Sequence, residues 1–345
     1  GAVLSGVPVK DLEGGDYTLT DALCLSSNVG DPDWNPNAGT VTTDITVASV
    51  EEFQNAVSAG KTAITLKYGD YDFRTSSNSN GDIALEAGIT IVGEKKAGAN
   101  PTIHGAIQLK TGISTLVLQN LTFDGRDADG NASLGVALNT SSAISAGKVL
   151  VEGCEFVGYT KSVYYDNQGS DIGTWTFTGN LVHGFGTGQG MLDIRKGTIG
   201  TLVVSTSTFY DGGRDFLRCD KGIAGSVSVK NNTFAACSVG AGNGLLWVRS
   251  CADDPSKYTV SKNVFVNIGG SSLLAKSGAT VPVMGDNFFF NVAEGFFSGA
   301  IDQDTATGGG GAVLDTDPCS NSAEFSLKVT DAAVKAASAG DPRWL

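Results

Sequence analysis

The chain has few charges, few bases and no long apolar run, and each shortage removes a class of protein. Charged residues are 17% of the 345, against roughly 25% in ordinary globular domains. Lys and Arg number 23 against 36 Asp and Glu, a net charge of −13. That balance speaks against nucleic acid, whose phosphates need a basic face. It also disfavours electrostatic docking on anionic lipid. No apolar run approaches the roughly 20 residues of a membrane-spanning helix. The six cysteines form no Cys-x-x-Cys pair, and with only two histidines no metal-ligand spacing arises. Most of the cysteines therefore read as small buried thiols. No cofactor is implied. What the chain has in excess is glycine, 47 residues, about twice the usual ~7% share. With 41% hydrophobic residues it is not a disordered acidic tail. This composition suits a β protein with many turns.

One short phrase recurs: alternating apolar residues, a polar pair, then an aromatic. It reads Leu116-Val-Leu-Gln-Asn-Leu-Thr-Phe123 and returns as Val149-Leu-Val-Glu-Gly-Cys-Glu-Phe156. Further copies end at His183, Phe209, Phe234, Phe265 and Phe289. A period near 25 residues, with only short strands in each unit, fits stacked coils about 4.8 Å apart. A single coil cannot bury its inward side chains alone, and stacking completes the core. Two residues before the aromatic stand Cys154, Ser207, Asn232, Asn263 and Asn287, small or amide side chains suited to an internal hydrogen-bonded ladder. His183 falls in the aromatic column, which predicts a core role.

The expected fold is all-β: a single-stranded right-handed parallel β-helix of about nine coils with a short N-terminal capping helix. Ser49-Val-Glu-Glu52 is a capping box opening a helix that stops at Gly60. Residues 1–45 carry no repeat and are expected as an extended segment packed on the coils. Residues 46–325 form the β-helix, with weaker coils around Ile89–Val92 and Thr102–His104, and residues 326–345 a C-terminal cap and tail. An exposed last coil would be an open sheet edge, so a cover is expected.

The capping helix, the Ala63-Ile-Thr-Leu66 strand, Gly69-Asp-Tyr71 and the Asn-x-Phe coils together resemble the pectate-lyase-like right-handed β-helix proteins. The likeness covers about residues 41–325. The ending Gly340-Asp-Pro-Arg-Trp344 is similar to the tail of surface lipoproteins from bacterial glycan-use loci. The resemblance implies an extracellular or outer-membrane-surface protein handling polysaccharide, often uronate-rich. The chain opens Gly1-Ala-Val-Leu4 without an initiator Met or a basic n-region, so a signal or lipoprotein segment is expected to have been removed. Membrane contact would come only through such a lipid anchor, and a monomer is expected.

Candidate site residues come from a second recurring segment: Val163-Tyr-Tyr-Asp166, Leu192-Asp-Ile-Arg195, Leu217-Arg-Cys-Asp220, Leu246-Trp-Val-Arg249 and Leu273-Leu-Ala-Lys276. Strand alternation sends the second and fourth residues outward. Stacked in register they read Tyr164, Asp193, Arg218, Trp247 and, beside them, Asp166, Arg195, Asp220, Arg249, Lys276. This is a checkerboard of acid and base beside two aromatics. It serves as an ion ladder or as a glycan face, with Tyr164, Asp193, Arg214, Trp247, Arg249 and Lys276 as substrate contacts. Aromatic rings offer flat surfaces to sugars, and arginine forks hold carboxylates. A uronate lyase would draw its carboxylate-neutralising group and base from Arg195, Lys196, Arg218 and Lys221. Asp193 and Asp220 fall in different columns, each flanked by a base, which does not support calcium. Asp124-Gly-Arg-Asp-Ala-Asp-Gly-Asn131 lacks the closing Glu of an EF-hand and reads as a turn. Three function classes fit: a protein binding an anionic polysaccharide, a polysaccharide lyase acting by β-elimination, and a structural or adhesive surface module.

Overall fold

The computed structural model describes residues 9–11, 16–19, 44–219, 223–237, 244–249, 251, 254–270, 272–274, 280–297 and 301–345. Two compact units are distinguished, residues 1–44 and residues 45–345. In the first, strands Val9–Asp11 and Asp16–Leu19 pair antiparallel. The rest of the segment expected to lie extended on the coils is outside the described residues.

Residues 45–345 wind into a right-handed parallel β-solenoid of about eight turns. Each complete turn gives one strand to each of three parallel sheets, which with the incomplete end turns have ten, ten and seven strands among the described residues. The first sheet begins at Ile45–Val47, the second at Asp70–Asp72 and the third at Asp82–Leu85. Ile89–Gly93 and Thr102–His104 belong to the first and second sheets. They are two sides of one turn, which lowers the expected count of nine coils.

The aromatic column runs Phe123, Phe156, Val182, Phe209, Phe234, Phe265 and Phe289 through the second sheet. Neighbouring rings stack, Phe234 on Phe265 at 4.9 Å and Phe265 on Phe289 at 4.8 Å. Val182, not His183, occupies the third place. His183 is one residue out of phase and faces outward, where Nε2 lies 2.9 Å from Glu155 and the ring stacks on Tyr210. The core role expected for it is therefore wrong, because a one-residue slip exchanges the faces of a strand.

At the bend between the first two sheets the ladder is continuous. The side-chain oxygens of Asn180, Ser207, Asn232, Asn263 and Asn287 accept the backbone N–H of Cys154, Asn180, Ser207, Asn232 and Asn263 in turn, at 2.8–3.1 Å. The amide nitrogens donate to carbonyls of the first sheet. Each bend is set up by a left-handed residue just before it, such as Thr206, Asn231 or Lys262, with φ of 47° to 56°. Asparagine tolerates that region; Thr and Lys hold it because the stacked bonds over-determine the turn.

Both ends are covered. Ser49 accepts from Glu52 N, Glu52 accepts from Ala48 N, and Phe53 and Ala56 are buried beneath the helix Val50–Ser58. At the far end Phe296 and Phe297 pack edge-on against Phe289. The helix Gln303–Thr307 takes up the last ladder asparagine through Ala306 O. The C-terminal strands Cys319–Asn321 and Ser326–Val329 and the helix Ala332–Ala337 do not cover the last turn. They fold back onto the outer face of the second sheet, where Leu327, Val329 and Val334 bury Val264, Val266 and Phe288.

Candidate anion-binding face of the third sheet

The outer face of the third sheet is built by register. Gln108 pairs with Asn139, Asn139 with Tyr165, Tyr165 with Asp193, Asp193 with Arg218 and Arg218 with Trp247. These six residues form one column over six turns. Their neighbours Ile107, Leu138, Tyr164, Leu192, Leu217 and Leu246 form the inward column.

Tyr164 is thus a core residue, fully buried against Trp175 at 5.3 Å. The expectation that it faces a ligand is overturned, and Tyr165 takes its place. The strand Ser162–Asp166 pairs one residue later than the shared phrase assumes, Tyr164 with Leu192 and Tyr165 with Asp193, so its faces exchange. Leu274 slips the same way and pairs with Leu246 inside. Asp166 leaves the expected checkerboard too: it is buried and accepts from Thr140 Oγ1, Gln168 N and Ser170 N.

Asp193, Arg195, Arg214, Arg218, Trp247 and Arg249 do gather. Arg195 chelates Asp193 through Nε and Nη2, at 2.9–3.0 Å for the best contacts, and Arg218 Nε stands 3.9 Å from the same carboxylate. Asp193 is completely buried beneath them, so it orients arginines rather than touching a ligand. Trp247 is 8% exposed, with Arg218 4.5 Å and Arg249 5.3 Å from its ring centre. Its face is covered by guanidinium planes, which corrects the expectation of an open sugar platform. Arg195 lies over Tyr165 in the same manner, at 5.4 Å. Stacking fixes a guanidinium plane while leaving its N–H edge able to meet a carboxylate. Arg249 is exposed and Arg214 half-buried; Lys196 is exposed in the turn after Leu192–Ile194. Lys221, Lys276 and Asp220 lie outside the described residues.

Sequence reading missed Asp215. Its side chain is wholly buried, and neither oxygen has a hydrogen-bond partner. Arg214 Nε is 3.8 Å away, beyond hydrogen-bond reach. Burial pushes the Asp215 carboxyl up to about 6; Arg214 and Arg218 pull it down, and Asp193 pushes it further up. Nothing in its sequence context, Arg214-Asp-Phe216, distinguishes it from a surface pair. Also missed was the upstream half of the column. Gln108 Nε2 donates to Asp82 at 3.0 Å and Asn139 Nδ2 to Gln108 at 2.8 Å. They line an open cleft of about 490 Å³ with Lys161, Tyr165 and Gln189.

Among the described residues no cluster of His, Cys, Asp and Glu is arranged to hold a metal ion. In the Asp124–Asn131 loop, Asp124 is taken by Arg126 and Asp127 by the N–H groups of Asp129 and Asn131. Among the described residues no helix is long and apolar enough to cross a membrane.

Residues 69–212 match a family described as a domain of unknown function (DUF4957). The match spans less than half of the chain and carries no activity with it. Comparison with curated proteins returned no match. The parallel β-solenoid is consistent with a pectate-lyase-like β-helix and compatible with either polysaccharide binding or cleavage.

Proposed function

We propose that the protein binds an anionic, uronate-containing polysaccharide on the outer face of its third sheet, at the surface of the cell that makes it. One observation carries this reading. In a chain of net charge −13, Arg195, Arg214, Arg218 and Arg249 converge on one face, where the buried carboxylates among the described residues are Asp193 and Asp215. A solenoid face is long and straight, and its coils repeat about every 4.8 Å, roughly the length of one sugar residue. A polymer lying along it meets a new row of side chains at each step. Arginine forks are the natural partner of sugar carboxylates.

Affinity electrophoresis through polygalacturonate and through a neutral galactan tests this. Retention is expected only in polygalacturonate and is expected to fall with added salt. Arg249→Ala removes an exposed charge, and about ten-fold weaker retention is expected from one lost charge-assisted contact. Trp247→Ala should do the same by releasing Arg218 and Arg249. Equal mobility of all variants in every anionic glycan would overturn the reading.

A second reading is a lyase, favoured by the two guanidinium groups that consecutive coils bring to Asp193. The guanidinium groups would neutralise the sugar carboxylate, and a neutral lysine amine (Lys196 and Lys221 are the candidates) would take the C5 proton. The ammonium so formed would return a proton to the leaving glycosidic oxygen as the C4–C5 double bond forms. Its signature is a rise in ultraviolet absorbance as the unsaturated uronate forms. A flat trace with retained binding would leave the first reading alone.

A further inference from the structure

We infer that the face has two halves and takes a heteroglycan, with a neutral, hydroxyl-rich sugar in the Gln108–Asn139–Tyr165 cleft and a uronate at the arginines. The inference rests on the reading above and names the class of polymer. The same column that ends in Arg218 and Trp247 begins in amides. The cleft of about 490 Å³ has one acid, Asp82, and one base, Lys161, among its lining residues, so its formal charge is zero. A carboxylate there would meet no arginine fork, and Asp82 would repel it.

The amides are fixed in orientation. Asp82 Oδ1 accepts from Gln108 Nε2, which obliges Gln108 Oε1 to be the acceptor for Asn139 Nδ2. Asn139 is left with an acceptor oxygen and a second N–H to offer. A donor and an acceptor side by side match a pair of sugar hydroxyls, each of which gives and takes a hydrogen bond. The relay pre-organises this edge, so little ordering cost remains on binding. Tyr165 closes the cleft on the side of the arginines, with Arg195 over its ring. Asn139 and Arg218 are three turns apart in the column, roughly 14 Å at the spacing of parallel strands. A neutral residue in the cleft and a uronate at Arg218 therefore fit one chain about three sugars apart, an odd separation that an alternating polymer meets with unlike sugars.

The test uses the full chain and four polymers: polygalacturonate, a neutral galactan, hyaluronan and the alternating rhamnogalacturonan backbone. At least one alternating polymer is expected to be retained ten-fold or more tightly than polygalacturonate. Asn139→Ala should bring the two to parity while polygalacturonate retention and the melting temperature hold. Gln189→Ala, at the rim of the cleft, gives the same readout without touching the relay. If polygalacturonate is retained as tightly as both alternating polymers, or if the cleft variants weaken every polymer equally, the two-part face is wrong while the anionic reading stands. If no anionic polymer is retained, both fail.

Discussion

Two outer faces of the same solenoid treat buried aspartate in opposite ways. On the second sheet the C-terminal segment lays Asp341 over the coils, 2% exposed, and every neighbour answers it. Thr208 Oγ1 and Arg343 N donate to its two oxygens, and Arg343 Nε pairs with it at 2.8 Å. Beside the third sheet Asp215 is as deeply buried and its carboxylate receives no hydrogen bond. A satisfied buried carboxylate fastens two parts of a fold together. An unsatisfied one costs free energy that folding alone does not reward. Such groups concentrate where a chain has a task besides folding.

The largest effect separating satisfied from strained polar groups is expected at the ladder. Asn232 supplies the acceptor for Ser207 N and donors for Val204 O and Lys230 O. Asn232→Ala takes the acceptor from Ser207 N and a donor from each of the two carbonyls, Lys230 O keeping Thr206 N, beside a small cavity. A loss of about 3–5 kcal/mol is expected, read as the shift in a denaturant midpoint at unchanged slope.

Asp215→Asn should move stability the other way. Folding raises the Asp215 pKa from its ordinary 3.8 to about 6. Between those values the folded state holds a proton that the unfolded chain has released, so stability falls as pH rises through that window. Above pH 6 the full deficit, about 2–3 kcal/mol, is present. The asparagine variant should therefore melt higher than the parent at pH 7, with the difference vanishing below about pH 4. A pH-independent difference would mean that the Asp215 carboxylate is not held buried without hydrogen bonds. The same titration couples to the proposed ligand. Neutralising Asp215 leaves the arginines less compensated, so polyuronate retention should tighten from pH 7 to pH 5.

At the other face Asp341→Ala is expected to cost about 1–3 kcal/mol. The loss should be local, because the C-terminal segment packs on the outer face of the second sheet in a small cluster separate from the solenoid interior. Limited proteolysis would then cut within residues 315–345 while the coils stay resistant. Resistance equal to the parent would show that Leu327, Val329 and Val334 hold the segment unaided.

Repetition explains what the sequence reveals of this molecule. The phrase ending in Phe156, Phe209, Phe234, Phe265 and Phe289 exposes the solenoid, and Asn232, Asn263 and Asn287 expose the ladder, because identical turns must bury identical side chains. Where a coil breaks phase, the reading fails by one residue. Val182 sits in a column of phenylalanines, so the aromatic signal passes to His183. The register of Ser162–Asp166, one residue later than the phrase assumes, sends Tyr164 inward and Tyr165 outward. The binding face is less legible still. Its charges lie in the middle of three-residue strands or in the turns beside them, and whether Asp193 is a contact or a buried anchor depends on where Arg195 and Arg218 fold. The place of the C-terminal segment is set by long-range bonds such as Trp344 Nε1 to Thr208 Oγ1 at 2.7 Å, which no local pattern announces.

The smallest expected effect concerns a device that recurs with different burial. An aspartate chelated by the arginine two residues on appears at Asp72 and Arg74, Asp124 and Arg126, Asp193 and Arg195, and Asp341 and Arg343. The chemistry is constant, while the carboxylate goes from half-exposed at Asp72 to sealed at Asp193. Exposed pairs are screened by water and salt, and their net worth is small. Arg74 also donates to Arg126 O at 2.8 Å, a single contact that solvent can replace. Arg74→Met is therefore expected to cost under about 1 kcal/mol and to lose its effect in high salt, whereas Arg195→Met uncovers a buried charge and should cost several-fold more. Equal losses at the two sites would mean that burial of the aspartate does not set the strength of the pair, and would remove the ground for reading Asp193 as the anchor of the arginine face.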